Sequence, residues 1–269
     1  MSALVTVAAC VRRDWRIALS YRLAYAIEVA AMVFTLLLFY YLARIVDSSS
    51  LPSSAGLDRG YFGFAVFGIA LSRTLYVALT SFANQLREEQ TTGTFEALMA
   101  TPARPSMLIL SSGTYDLLRG TLTGVLTIVA AVVFFNLPLE GGVESAAVGT
   151  GGLLGCIVLF AAMGVATAAF TVVFKQASAV LGLATTAIAL IGGVYFPVQV
   201  LPSALEFIAN ILPFTWGLDV LRSALLQGDA EPGRLGLLLA FDIVALPAAL
   251  VLFNAALRRA RRAGSLAQY

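Results

Sequence analysis

Residues 87–102 form a compact polar segment between two long apolar stretches, and their residue types suit a short helix that binds another protein. Gly93 can serve as the helix N-cap, and Glu96, three positions later, can reach back to a free backbone N–H. Pro102 ends such a helix, because the residue before a proline avoids the helical conformation. A helix this short is marginal in water by itself. The apolar face of this helix consists of Phe95, Leu98 and Met99. This face either docks into a partner or packs on the protein's own helices.

Charged side chains within the apolar runs are the second candidate for chemistry. An ionised group costs a few kcal/mol in a membrane unless it is paired or wet, so about 3 kcal/mol is at stake for each one. Arg73 either forms an ion pair with a carboxylate such as Glu28 or Asp242, or it contacts an anionic group of a substrate or lipid. These three residues are a possible intramembrane polar site.

Two further charged pairs share a three-residue spacing, Asp116 with Arg119 and Asp219 with Arg222. Side chains three positions apart are neighbours on a helix. Both pairs are therefore predicted to be structural. For Asp242 two alternatives stay open, pairing with Arg222 or lining an exit path.

Most catalytic and metal chemistry is excluded by residue type. The chain has no histidine, one lysine (Lys175) and two cysteines, Cys10 and Cys156, which are not placed to bridge. Without histidine there is no Ser-His-Asp catalysis, and the usual ligands of zinc, haem and iron–sulfur clusters are missing. No phosphate-binding G-x-x-x-x-G-K-[ST] loop is present either. We expect no catalytic residues, no metal and no cofactor bound by this chain.

The composition predicts an integral membrane protein. Hydrophobic residues make up 59% of the 269 residues and charged residues only 12%, against about 45–50% and 25% in soluble domains. The mean hydropathy is +0.90. We expect one all-α membrane domain over residues 1–269. A nucleic-acid partner is not expected, since a basic face on a soluble module is missing.

Six stretches are long and apolar enough for the roughly 20 residues that a membrane helix needs. The six predicted spans are residues 23–46, 61–84, 107–136, 146–172, 178–196 and 235–257. Arginines precede the first span and follow the last, so the positive-inside bias puts both termini in the cytoplasm. The arginines concerned are Arg12, Arg13, Arg16, Arg22, Arg258, Arg259, Arg261 and Arg262.

Two segments flank these spans. Residues 1–22 have one apolar face opposite three arginines, which predicts an amphipathic helix lying in the membrane interface, as an anchor or as a brace for a partner. Residues 197–230 are broken by prolines but too apolar for a free loop. Non-helical backbone at membrane depth must be buried in protein or line a wet cavity. The sequence therefore predicts short re-entrant or interfacial helices before the last span.

Two motifs resemble a known family. The run R-E-E-Q-T-T-G-T-F-E-A-L-M-A-T-P over residues 87–102 resembles the coupling-helix region of ABC type-2 exporter permeases. The run G-G-V-Y-F-P over residues 192–197, followed by Leu201-Pro202, Leu205, Ile208, Leu212-Pro213 and Arg222, resembles the family's second signature.

The resemblance implies two groups of site residues. The first group would couple the chain to a nucleotide-binding ATPase subunit. These coupling positions are Glu88, Glu89, Gly93, Thr94, Phe95, Glu96, Leu98 and Pro102. The second group would form an outer gate motif. It consists of Phe196, Pro197, Leu201, Pro202, Pro213 and Arg222.

The resemblance also implies the partners and the activity. ATP and magnesium would be bound by the ATPase subunit, and a second permease copy, identical or paralogous, would complete the transporter in the cytoplasmic membrane of a prokaryote. The expected activity is export of a hydrophobic or amphipathic compound, a drug or a lipid. The alternatives are export of a polysaccharide or lipid-linked glycan, or an ATPase-independent secondary transporter or channel.

Overall fold

The computed structural model describes residues 22–46, 60–91, 105–174 and 177–262. Every regular element in these ranges is helical, which confirms the all-α prediction. The predicted interfacial helix, apart from Arg22, and most of the predicted coupling segment lie outside the described residues.

Five of the helices are long and apolar enough to cross a membrane. They are α1 (Arg22–Ile45), α2 (Tyr61–Thr91), α3 (Pro105–Phe135), α4 (Val143–Val173) and α8 (Pro232–Arg262). Their bounds follow the predicted spans, because the length of each apolar run determines how much chain can lie in lipid. The class of polytopic helical membrane protein is thereby confirmed.

The fifth predicted span, 178–196, is shorter than expected. Its helix, α5 (Ala177–Ile191), has 15 residues, about 22 Å at the usual rise and short of the roughly 30 Å of a bilayer core. The helix ends because Gly193 adopts a left-handed conformation, with φ +80°. The apolar residues up to Phe196 therefore belong to a turn.

A bent helix pair follows this turn, as the prolines predicted. After a short 3-10 helix (Val198–Val200), α6 (Ser203–Ile211) and α7 (Pro213–Arg222) follow, and α7 continues as a π-helical turn (Ser223–Gln227). Helix α6 and the continuous segment Pro213–Gln227 meet at 81°. Together they would form a sixth membrane span only as one broken helix. We call α6, α7 and the π-helical turn the bent pair, and the end of the bundle where it lies the bent-pair end.

Helix α2 lies at the centre of the bundle. Within the most apolar stretch of α2, 67% of the residues are buried, against 6% within that of α1. It packs against α3 and α4, and α8 packs along the other side of α4. The core contains large side chains with less than 2% exposure, among them Phe67, Phe82, Phe160, Phe214 and Phe253.

Glycines allow the closest helix crossings. A Cβ on Gly164 of α4 would lie 2.5 Å from Cδ2 of Phe82 and 2.7 Å from the carbonyl oxygen of Ala78, both on α2. Small residues at such crossings let backbones approach, and in lipid this packing is a main source of helix association.

We expect Gly164→Ala to destabilise the protein by about 1–3 kcal/mol, because the added methyl group overpacks a rigid contact. Gly182→Ala is the control: nothing lies within 4 Å of its Cβ position, so the helix gains up to about 1 kcal/mol from alanine. Thermal unfolding in detergent compares the two. A Gly164→Ala variant that melts as high as Gly182→Ala would contradict the crossing.

Candidate functional site

Helix α2 extends beyond its apolar part towards the predicted coupling segment. The apolar span ends at Gln85, but the helix continues to Thr91. Arg87 is exposed on this extension, and the backbone of Glu88 and Glu89 belongs to its last turn. The other predicted coupling positions lie outside the described residues, and their role stays a prediction; they are Gly93, Thr94, Phe95, Glu96, Leu98 and Pro102.

At the opposite end of α2, Arg222 of α7 is buried against three backbone carbonyls. Its Nη1 donates to the carbonyl oxygen of Gly193 at 2.9 Å, and its Nη2 donates to those of Phe64 at 2.7 Å and Val194 at 3.3 Å. The guanidinium carbon lies 3.4 Å from the centroid of the Phe64 ring. We call this group the Arg222 clamp; it joins the start of α2, the turn after α5 and the bent pair.

The clamp requires a glycine on α2. A Cβ on Gly68, one turn after Phe64, would collide with the carbonyl oxygen of Val194 and lie 2.9 Å from Nη2 of Arg222. Any larger residue would therefore push the turn away from the helix. The sequence analysis did not single out Gly68, since its role depends on a neighbour more than 100 positions away.

The structure divides the predicted outer gate motif. Pro197 and Arg222 line one cavity at the bent-pair end. Pro202 instead precedes α6 and Pro213 is the first residue of α7, where the fixed φ of proline suits a helix start. Phe196 and Leu201 are partly buried within the connecting turns.

The predicted Asp219–Arg222 ion pair is wrong. Oδ2 of Asp219 accepts a hydrogen bond from Nη1 of Arg234 at 2.7 Å, and Nε of Arg234 lies 2.9 Å from Oε2 of Glu231. The guanidinium of Arg222 binds the carbonyls left open by the turn. Arg234 was missed, although its position three residues after Glu231 at the start of α8 is a recognisable signal for an ion pair.

Within the spans, Arg73 pairs with Glu28, one of the two carboxylates that the sequence offered. Nη2 of Arg73 on α2 lies 3.1 Å from Oε1 of Glu28 on α1. Nη1 of Arg119 on α3 lies 4.0 Å from Oε2 of the same carboxylate. The hydroxyls of Tyr25 and Tyr115 are 3.2 Å apart beside the pair. This polar cluster is partly open, with exposed fractions of 22% for the Glu28 side chain and 32% for that of Arg73.

Asp242 does not belong to this cluster. It lies on α8 with 4% exposure, and a Cβ on Gly155 of α4 would be 3.4 Å from its Oδ2. Neither carboxylate oxygen has a hydrogen-bond partner among the described residues. The three residues predicted as one intramembrane site therefore lie in two separate sites, with Glu28 and Arg73 in one and Asp242 in the other. The predicted alternative of an Asp242–Arg222 pair is wrong, because the guanidinium of Arg222 binds backbone carbonyls.

We expect Arg222→Gln to cost at least about 2 kcal/mol, because the carbonyls of Gly193 and Val194 lose their donor and each buried carbonyl without one costs about 1–3 kcal/mol. Arg234→Gln is the matched control: its side chain is 51% exposed, and an exposed ion pair contributes less than about 1 kcal/mol. Thermal unfolding of both variants is the measurement. Equal losses of stability in the two variants would show that the Arg222 clamp contributes no more than an exposed ion pair.

A double-mutant cycle tests the polar cluster. We expect the losses caused by Glu28→Gln and Arg73→Gln to fall short of additivity in the double variant by about 0.5–3 kcal/mol, since the two side chains share one interaction. Arg73→Gln with Glu144→Gln is the control, because Glu144 is exposed at the bent-pair end. Additive losses in the Glu28–Arg73 cycle would contradict the observed pair.

The family of the chain follows from comparison with known proteins. The family profile described as ABC-2 type transporter matches residues 6–226. The match includes α1 to α7, the predicted coupling segment and the Arg222 clamp. Comparison with the curated proteins found no match. Since the profile covers most of the chain, the protein belongs to the ABC-2 type transporter family, as a multi-pass permease component.

Proposed function

We propose that this protein is the permease subunit of an ATP-driven exporter, which moves a hydrophobic or amphipathic compound, a drug or a lipid, out across the cytoplasmic membrane of a prokaryote. A separate ATPase subunit binds ATP and magnesium and docks on residues 87–102. A second permease copy completes the transport path.

The continuity of α2 carries this proposal. One helix of 31 residues, Tyr61–Thr91, about 46 Å long at 1.5 Å per residue, leads from the Arg222 clamp to the predicted docking segment. It is also the central helix of the bundle. A force applied beyond Thr91 therefore reaches the bent-pair end through a single stiff element.

The mechanism follows from this geometry. When the ATPase subunits bind ATP and close, the docked segments move together and α2 tilts. Phe64 moves with α2, and the clamp passes the motion to the turn at Gly193 and Val194 and to the bent pair. ATP shifts the equilibrium between the inward-open and outward-open states only through the difference in its affinity for the two states, and the ATPase dimer supplies that difference.

The charges at the two ends of the bundle support an orientation with both termini in the cytoplasm. The end of α2 and of α8 opposite the bent pair carries exposed arginines, namely Arg87, Arg258, Arg259 and Arg262. The bent-pair end carries exposed carboxylates, among them Glu140, Glu144 and Asp229, together with the exposed Arg44 and Arg234. With these arginines in the cytoplasm, the proposed docking segment would lie on the side where ATP is available.

The polar cluster supports an amphipathic cargo. Glu28, Arg73 and Arg119 are partly open within the spans, whereas the surrounding surface of α1 is apolar, with Ile27, Phe34 and Leu38 exposed. Such a surface suits a molecule with one polar group and an apolar body. Stimulation of ATPase activity by candidate cargoes, measured on the reconstituted complex, tests the class of compound.

Breaking α2 tests its role as the connecting element. We expect Asn84→Pro to reduce transport by about 5- to 150-fold, the range of typical coupling free energies, because proline removes a helical hydrogen bond and kinks the helix. The ATPase subunit should still co-purify. Asn84→Ser is the control at the same exposed position, since serine keeps the backbone N–H. Full transport by a folded Asn84→Pro variant would overturn the coupling through α2.

Docking is tested by a charge in the predicted coupling segment. We expect Phe95→Asp to weaken ATPase binding by about 30-fold or more, since an aromatic anchor of an interface contributes about 2 kcal/mol or more. Phe174→Asp is the control, because Phe174 is 53% exposed at the same end of the bundle but outside the segment. Co-purification of the tagged permease with the ATPase gives the readout. Unchanged binding by Phe95→Asp would exclude this docking site.

A further inference from the structure

A polar cavity of about 160 Å³ lies at the bent-pair end, between the turn after α5, the bent pair and the start of α8. Its walls combine two arginines, two carboxylates and side-chain amides, among them Arg222, Arg234, Asp219, Glu231, Gln199 and Asn210. The transport mechanism proposed above uses Arg222 only to hold carbonyls. The cavity itself has no role in it.

One side chain that lines the cavity, Arg222, has an unused donor. Arg222 is 8% exposed, and its Nη1 and Nη2 atoms donate to the carbonyls of the clamp. Its Nε is buried and has no hydrogen-bond partner among the described residues. A buried N–H group without a partner is costly, so a group that accepts from it is expected.

The cavity is also lined by acceptors. Arg234 binds Asp219 through Oδ2 and Glu231 through Oε2, and each carboxylate has a second oxygen that can accept from another donor. The two arginines and two carboxylates have formal charges that cancel. A ligand with separated positive and negative groups therefore fits this cavity better than a simple anion does.

The surroundings of the cavity place it beside lipid. Asn210 lines the cavity, while Phe207, Ile208 and Ile211 on the same helix α6 are exposed. The indole N–H of Trp216 donates to the carbonyl oxygen of Asn210 at 2.7 Å. Exposed apolar side chains next to a tryptophan with a polar contact are typical of the membrane–water interface. Headgroups of phospholipids occupy this level.

We propose that this cavity binds the headgroup of a zwitterionic phospholipid, with its phosphate at the guanidinium group of Arg222 and its primary ammonium on Asp219 and Glu231. The cavity volume equals about five water molecules, which suits a phosphoethanolamine group while the acyl chains follow the apolar face of α6. Such a lipid ties the turn after α5, the bent pair and α8 together. The binding needs no ATPase subunit, so it stands or falls separately from the proposed export function.

Native mass spectrometry tests the proposal. The full chain is purified from vesicles containing equal amounts of phosphatidylethanolamine and phosphatidylglycerol, and the retained lipid is identified. We expect one phosphatidylethanolamine per chain, retained at least fivefold over phosphatidylglycerol. Gln199→Trp, which fills the cavity, and Asp219→Asn, which removes a carboxylate, should each lower that preference at least fivefold.

Matched controls separate the site from general effects. Gln199→Ala should keep the preference, since it leaves the cavity open, and so should Glu206→Gln, which changes a carboxylate of α6 that does not line the cavity. Equal retention of the two lipids by the unaltered chain would overturn the proposal. A preference that survives Gln199→Trp would place the lipid elsewhere.

A soluble ligand is distinguished by a third measurement. We expect free O-phosphoethanolamine to raise the melting temperature of the delipidated chain less than phosphatidylethanolamine does, because the acyl chains add apolar contact. Equal protection by the free compound would assign the cavity to a soluble zwitterion and overturn the lipid.

Discussion

The bent-pair end depends on one constraint: backbone carbonyls that leave a helix within a membrane protein need donors, because lipid offers none. The turn that ends α5 leaves the carbonyls of Gly193 and Val194 outside any helical ladder, and the guanidinium of Arg222 binds both. An arginine is suited to this position, since it has five N–H donors in a fixed planar arrangement. The stacking on Phe64 covers one face of the charge.

This solution binds the broken part of the chain to its most rigid part. Because the same guanidinium also donates to the Phe64 carbonyl on α2, the turn and α7 have to follow the start of α2. Gly68 allows the turn after α5 to lie close to α2, and α2 in turn packs against α3 and α4. A permease that must pass motion between its two ends gains from such a connection, since the helix and the turn then behave as one body.

The sequence predicted the elements better than their contacts. The bounds of α1, α3 and α4 follow from the lengths of apolar runs, and Pro202 and Pro213 indicated the bent pair. The end of α5 was missed, because residues 194–196 are as apolar as the helix before them and only the left-handed Gly193 ends it. The partners of Arg222 were missed for a different reason: they are backbone carbonyls, which residue types do not encode. The spacing of Asp219 and Arg222 favoured a local pair that the fold replaces.

The same reasoning explains why α1 is attached so loosely. Its apolar residues gain little from leaving lipid for protein, since both surroundings are apolar, so specific contacts have to hold it. The structure places these contacts at two levels: Glu28 with Arg73 and Arg119 deeper in the spans, and Tyr40 against the rings of Phe62 and Phe135 near the bent-pair end. Between them Leu36 is buried in the core and Met32 packs against it, whereas most other apolar side chains of α1 stay exposed, among them Val33, Phe34 and Leu38. Because these contacts are few and most of the apolar surface of α1 is open, we expect this helix to adjust its tilt when α2 moves more easily than a helix packed along its whole length.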